Sequence, residues 1–290
     1  MGKRVKHIVS VGGGIASTLL LPSILIDGKG IPIRDAEFIV AALPNEDKDV
    51  WRLTSAVENL FGIKIKRIGH NKSPFDVFFE TRFLGNSRID PCSRVLKREV
   101  MRDYMEANHP PDKSILYVGI GAHEIDRMLS IRKNWGSRGY RVEMPLVDYP
   151  MTREQQINAC LDAVGFVPRL YLMGFSHNNC GGACIKAGKK EWARLLYFLP
   201  EVYAEWETNE AKFRAEIGDY TILRRMVKGV NYPVSLTEFR EEMQLKWESD
   251  PPTHSKTNLE LLDGFQRLEL SGTLKGLEDT PGCTFCAAVA

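Results

Sequence analysis

Net charge is almost missing from this chain. Its 39 Lys and Arg stand against 37 Asp and Glu, leaving +2 over 290 residues. No overall basic field draws in a polyanion, so nucleic-acid binding would need a local patch. Long apolar runs are missing too: none approaches the roughly 18 residues of a membrane span. The basic start Met1-Gly2-Lys3-Arg4-Val5-Lys6 leads into a stretch broken by glycines, not into a secretory apolar core. The expectation is a cytoplasmic protein with no membrane partner. There is no internal repeat and no low-complexity tract, which removes solenoid and fibrous architectures. Cysteine is scarce, with six in all. In a reducing compartment they are poor disulfide candidates, and grouped thiols there more often bind metal or do redox work. The 43% hydrophobic and 26% charged fractions are ordinary for a globular chain. The length fits one large domain, or one domain with an appendage.

What is present begins at the N-terminus. The apolar run Val5 to Val11 leads into Gly12-Gly13-Gly14-Ile15-Ala16-Ser17-Thr18. A strand that passes through glycines into a helix can bring bare backbone close to an anion. The helix start adds unpaired N–H groups and partial positive charge. Ser10, Gly12, Gly13, Gly14, Ser17 and Thr18 are therefore candidate nucleotide-binding residues. The loop is not a Walker A motif, since no Gly-Lys-Ser/Thr follows, and the dinucleotide spacing Gly-x-Gly-x-x-Gly is absent.

Further along, strand-like and helix-like segments alternate. Strands are expected at Glu37–Leu43, Ile63–Ile68, Ser114–Ile120 and Val142–Val147. Helices are expected from Ala16 to Ile26 (bent or shortened by Pro22), Asp47 to Phe61, Cys92 to Ala107 and Thr152 to Val164. Such alternation predicts an α/β fold, a parallel sheet of about five strands with helices on both faces. Beyond Ala183 the pattern reads mainly as helix, at Ala187–Phe198, Glu201–Glu216 and Leu236–Lys246. The division expected is a nucleotide-binding α/β domain over 1–175 and a mainly helical region over 176–290, with a cysteine loop and tail.

The cysteines form a second signal. Cys92 follows Pro91 at a helix start, with Arg94 and Lys97 nearby to favour thiolate. Cys180 and Cys184 flank a glycine loop that also carries His177. The tail holds Cys283 and Cys286 in a Cys-x-x-Cys. Three readings stay open. Cys92, Cys180 and Cys184, with His177 or a tail cysteine, could hold a cluster or Zn²⁺. The tail could be a redox arm. Or the thiols are simply small buried hydrophobes. Cys160 lies on an apolar helix face and reads as core. Arg94, Lys97, Arg98 and Arg102 recur at helical spacing, either as a solvated face or as a patch for a polyanion.

Gly12-Gly13-Gly14-Ile15-Ala16-Ser17 resembles the Ser-Gly-Gly-x-Asp-Ser loop of the PP-loop ATP pyrophosphatases, the adenine nucleotide α-hydrolase superfamily. Gly119-Ile120-Gly121-Ala122-His123-Glu124-Ile125-Asp126-Arg127 resembles the Gly-Ile-Arg-x-x-Glu-x-x-Arg segment of phosphoadenosine phosphosulfate (PAPS) reductase-like proteins. The likeness spans roughly residues 5 to 200, and is strongest to phage-type members around Asn86–Lys97 and Gly174–Gly188. Gly12 stands where Ser is usual and Ala16 where Asp is usual, which weakens the case for Mg²⁺-dependent ATP cleavage. The resemblance implies a Rossmann-like nucleotide domain, with Asn45 and Glu46 facing the nucleotide and Glu124 and Arg127 at the site. It implies adenylylation of a substrate by ATP for sulfur transfer, with an iron–sulfur cluster, a sulfur donor protein and a nucleobase of tRNA or DNA as acceptor. Its alternative is reduction of PAPS by a tail cysteine, Cys283 or Cys286. A third reading is a nucleotide-binding accessory protein without catalysis.

Overall fold

The computed structural model describes residues 5–85 and 89–250. They divide into two units. One is built from residues up to 71 together with 93–167; the other holds 72–92 and the described chain from 168 onward.

The first unit opens with β1 (Lys6–Val11) and a helical segment α1, made of a π turn Ala16–Leu20, an α turn Leu21–Ser23 and a second π turn Ile24–Gly28. Pro22 has no N–H to offer the carbonyl a turn behind it, and the helix widens to i→i−5 bonding on both sides of it. Leu21 N–H reaches Ala16 O, and Lys29 N–H reaches Ile24 O. Then come β2 (Ala36–Ala41), α2 (Lys48–Phe61) and β3 (Ile65–Ile68). Asp47 caps α2 by accepting from the Asp49 N–H, and Gly62 ends the helix at φ +63°, a left-handed conformation glycine takes without strain. Pro74–Thr81 (α3) follows and belongs to the second unit. Back in the first unit, a π segment Arg94–Glu99 runs into the α-helix Val100–Asn108, together α4. They lead to β4 (Ser114–Val118), α5 (Ile125–Gly136), β5 (Arg141–Glu143) and α6 (Arg153–Val164). Thr152 and Gln155 close a reciprocal capping box at the start of α6.

The five strands form one parallel sheet, ordered β3-β2-β1-β4-β5. This is a Rossmann-like α/β arrangement, as the alternation predicts. β1 and β4 are neighbours although β2 and β3 lie between them in sequence, so the strand order reverses beside β1. In such sheets ligands bind outside the carboxyl ends of the strands at that reversal. Ile8, Ile39, Leu116, Met101, Met105 and Ile131 form part of the core on which the sheet and its helices pack. β5 is shorter than expected, because the chain beyond Met144 turns into a 3₁₀ segment at Pro145–Val147.

The second unit adds α7 (Lys189–Phe198) and α8 (Pro200–Ile217). Its aromatic core sets Trp192 against Trp206 at 5.5 Å and Phe75 against Trp206 at 4.6 Å. A hairpin, β6 (Leu223–Val227) and β7 (Val230–Val234), precedes α9 (Leu236–Ser249). The sequence pattern predicts no strands here. Lys228 and Gly229, both at positive φ, make the tight turn, and β-branched residues on either side supply the strands. Among the described residues, no helix is long and apolar enough to cross a membrane.

Candidate functional site

The carboxyl edge of the sheet is where the candidate residues gather. Register fixes the alignment: Val11 pairs with Val40 of β2, and Ser10 with Val118 of β4. The loops at 12–14, 42–47 and 119–124 therefore leave the sheet from one edge, on adjacent strands.

The glycine loop is closed by its own serine. Gly12 N–H donates to Ser17 Oγ at 2.9 Å, Ser17 Oγ lies 3.4 Å from Gly14 O, and Thr18 N–H reaches Gly14 O at 2.9 Å. Gly13 takes φ +80°, which an L side chain rarely adopts. Ser17, expected to face a ligand, thus turns inward and shapes the loop, and the Gly12 amide is engaged by it. Ser10 is buried within β1. Thr18 is also fully buried, and its hydroxyl has no hydrogen-bond partner.

Beyond β4, Gly119 packs on the start of α1. The next turn joins the two residues picked out from the sequence. Glu124 accepts the Gly121 N–H at 3.2 Å with one carboxylate oxygen and Arg127 Nη1 at 2.5 Å with the other. Arg127 is buried, so this is not a solvated surface pair. His123, one residue before, is exposed.

Beyond β2 lie Asn45 and Glu46. Glu46 pairs with Lys97 of α4 at 3.0 Å, with side chains only 2% and 5% exposed. The helical spacing predicts Lys97 on a basic face; the structure turns it to Glu46 at the sheet edge instead. Its position between Leu96 and Val100, both buried, was the available signal. Asn45 is the least expected feature. Both its amide nitrogen and its amide oxygen are buried and neither has a hydrogen-bond partner. Buried polar atoms are nearly always paired, and each exception calls for a reason.

The cysteine loop sits in the second unit. Cys180, Gly181 and Gly182 all take positive φ, at 56°, 59° and 83°. Left-handed geometry is uncommon for a cysteine. A Cβ at Gly182 would crowd Phe175 at 3.1 Å, so the loop wraps tightly on the core. Cys184 is buried, while Cys92 and Cys180 are half-buried. The Asn179 N–H donates to His177 Nδ1 at 3.4 Å. Glu191 and Arg194 make a buried pair at 2.9 Å close by in sequence, and burial pushes the Glu191 carboxyl above the usual range. Among the described residues, no group of three or more His, Cys, Asp or Glu side chains is arranged to hold a metal ion. Cys92, Cys180, Cys184 and His177 form no such group among the described residues. Cys283 and Cys286 lie outside the described residues. Cys160 is core, as read: its thiol points at Phe166 O, and burial pushes it up to about 12.

The fold and the edge define an α/β protein of Rossmann-like class. No family model matches the sequence, and neither the curated proteins nor the solved structures compared with it gave a match.

Proposed function

We propose that the carboxyl edge of the sheet binds an adenine nucleotide, with the glycine loop beside its phosphates and Asn45 toward its base. The observation that carries this reading is the Asn45 amide, whose donor and acceptor atoms are both withdrawn from water and unpaired. Each such group costs about 1–3 kcal/mol unless a partner arrives. A side-chain amide offers a donor and an acceptor side by side, the complement of adenine N7 and N6–H₂. The Thr18 hydroxyl, on the helix that follows the glycine loop, is likewise buried without a hydrogen-bond partner.

The chemistry proposed is that implied by the resemblance to PP-loop enzymes. A substrate oxygen attacks the α-phosphorus of ATP, pyrophosphate leaves, and a sulfur nucleophile then displaces AMP from the adenylylated substrate. The start of α1, which follows the loop, would favour negative charge on the phosphates as it builds. Mg²⁺ would have to find its ligands without the missing aspartate at Ala16. Two of the carboxylates at this edge, Glu46 and Glu124, already hold cations. That observation favours a second reading, binding of ATP or PAPS without cleavage at the α-phosphorus. In the PAPS version a tail cysteine takes the sulfur and no pyrophosphate leaves.

Titration calorimetry of the full chain with ATP and with PAPS tests the binding step. Pyrophosphate release from Mg-ATP, and sulfite release from PAPS with a thiol donor, separate the reactions. Binding of neither nucleotide would overturn the proposal. Tight binding with neither product supports an accessory, non-catalytic role.

A further inference from the structure

We propose a second binding site, for the phosphate chain of a nucleic acid, in the groove between α4 and α5. It stands apart from the nucleotide reading above and uses none of its residues. A cavity of about 230 Å³ opens there. Four guanidinium groups line it, Arg94, Arg98 and Arg102 from α4 and Arg138 just beyond α5, with a single carboxylate, Glu99. Asn134 and Trp135 complete the lining. Trp135 is buried edge-on to Tyr140 at 5.3 Å and makes a rigid wall.

The placement of charge is selective. Lys97, in the middle of the same basic run, is turned away to Glu46, so only arginines reach the cavity. Arginine forks match phosphate oxygens two at a time, which a lysine cannot do. Arg94, Arg98 and Arg102 recur every fourth residue and so form a row along one helix face. A row suits successive phosphates of a strand better than one compact anion. Arg94 pairs with Glu99 at 2.6 Å, Arg102 with Asp103 at 2.8 Å and Arg138 with Glu106 at 2.8 Å. These pairs are largely solvent-exposed, and exposed pairs are weak and screened by salt, so phosphates can displace them. The chain as a whole is nearly neutral, so any attraction for nucleic acid must come from a local patch such as this one.

The test uses the full chain and a fluorescein-labelled single strand of about 20 nucleotides, DNA and RNA in turn, read by anisotropy across salt. Four phosphate contacts predict a slope of about −2.8 for log affinity against log salt. Arg102→Gln with Arg138→Gln should weaken binding about tenfold and reduce the slope by about 1.4. The double Arg→Lys variant should keep most of the slope, and unchanged melting of both variants shows that they fold. Arg34→Gln, at an exposed position elsewhere in the same unit, should leave binding as it was. The proposal is overturned by no binding at about 50 mM salt. A double Arg→Gln variant with the original slope overturns it too. So does displacement by tripolyphosphate at equal phosphate concentration, which would mark a compact-anion site.

Discussion

Gly119, just past β4, lies against Ser17, at the start of α1. A Cβ on Gly119 would stand 2.7 Å from Ser17 Cβ and 2.8 Å from Ser17 Cα. The second of these is backbone, which cannot swing aside. The same serine holds the glycine loop shut through the Gly12 N–H. Gly119 therefore governs the loop from the neighbouring strand, across the point where the sheet order reverses. Gly119→Ala should displace the start of α1 and destabilise the fold by about 1–3 kcal/mol, as overpacking does. Nucleotide affinity should fall with it. Thermal melting and calorimetry check both, and an alanine variant with unchanged stability and binding would show that the loop yields at no cost.

Asn45 separates function from stability. Its two unpaired amide atoms give the isolated protein nothing to lose. Asn45→Leu should leave the melting temperature unchanged or raise it, because replacing an unsatisfied buried polar group by an apolar one of similar size is neutral or favourable. Adenine nucleotide binding should drop at least tenfold. A variant that binds as before would remove Asn45 from the site.

Much of this was legible in the sequence, and the failures have physical causes. β1, the glycine turn and α2 carry strong local signals: a continuous apolar run, Gly13 in a conformation few other residues take, and Asp47 and Gly62 as start and stop marks. The parallel sheet followed from their alternation. The hairpin β6–β7 was missed because its strands are exposed over most of their length, as at Arg224, Met226 and Tyr232, and so show no period-two burial. Ser17 was read as facing outward because its residue type suits a phosphate; only the folded loop shows the Gly12 amide bound to it. The Glu46–Lys97 pair joins residues 51 apart in sequence, and no local pattern announces such a contact.

That pair is itself testable. Removing one member of a buried ion pair leaves a charge without compensation, at a cost of about 3–5 kcal/mol. Lys97→Met alone should therefore be strongly destabilising. Lys97→Met with Glu46→Gln should recover a large part of the loss, since the Glu46 charge is then removed as well. Denaturant melts of the two variants read the difference. Equal loss in both would mean that packing, not charge, sets the value of Lys97.

His7 and His109 predict a pH response of the sheet unit. Burial lowers both below the usual histidine value, although Glu37, 3.5 Å from His109, opposes the shift there. Between the lowered value and about 6.5 the unfolded chain binds more protons than the folded one. Their contribution to stability is thus complete above about 6.5 and is lost as pH falls through the lowered values. Glu191 and Glu210, raised by burial, act in the opposite direction, losing stability as pH rises through their values. The comparison that isolates the histidines is wild type against His109→Gln. The gap between their melting temperatures should narrow as pH falls from about 7.5 to about 5.5, and a constant gap would refute the assignment.

Glu210 holds the hairpin at both of its ends. Its two carboxylate oxygens accept the Ile222 N–H at 2.7 Å, just before β6, and the Leu236 N–H at 2.6 Å, just after β7. Tyr203 adds a third tie by donating to Leu236 O at 2.7 Å. Burial makes the Glu210 carboxylate costly to charge, and the two backbone donors partly offset that cost. Glutamine has the same shape but only one acceptor oxygen, so in Glu210→Gln one of the two amides meets an NH₂ group. The expected loss is about 1–3 kcal/mol, and Glu210→Ala, which strands both amides, should lose more. Hydrogen exchange locates the effect. Amides of the hairpin should lose protection in Glu210→Gln, while those of β1 and β4 keep theirs. Unchanged protection at Ile222 and Leu236 would show that the strands hold their ends without the carboxylate.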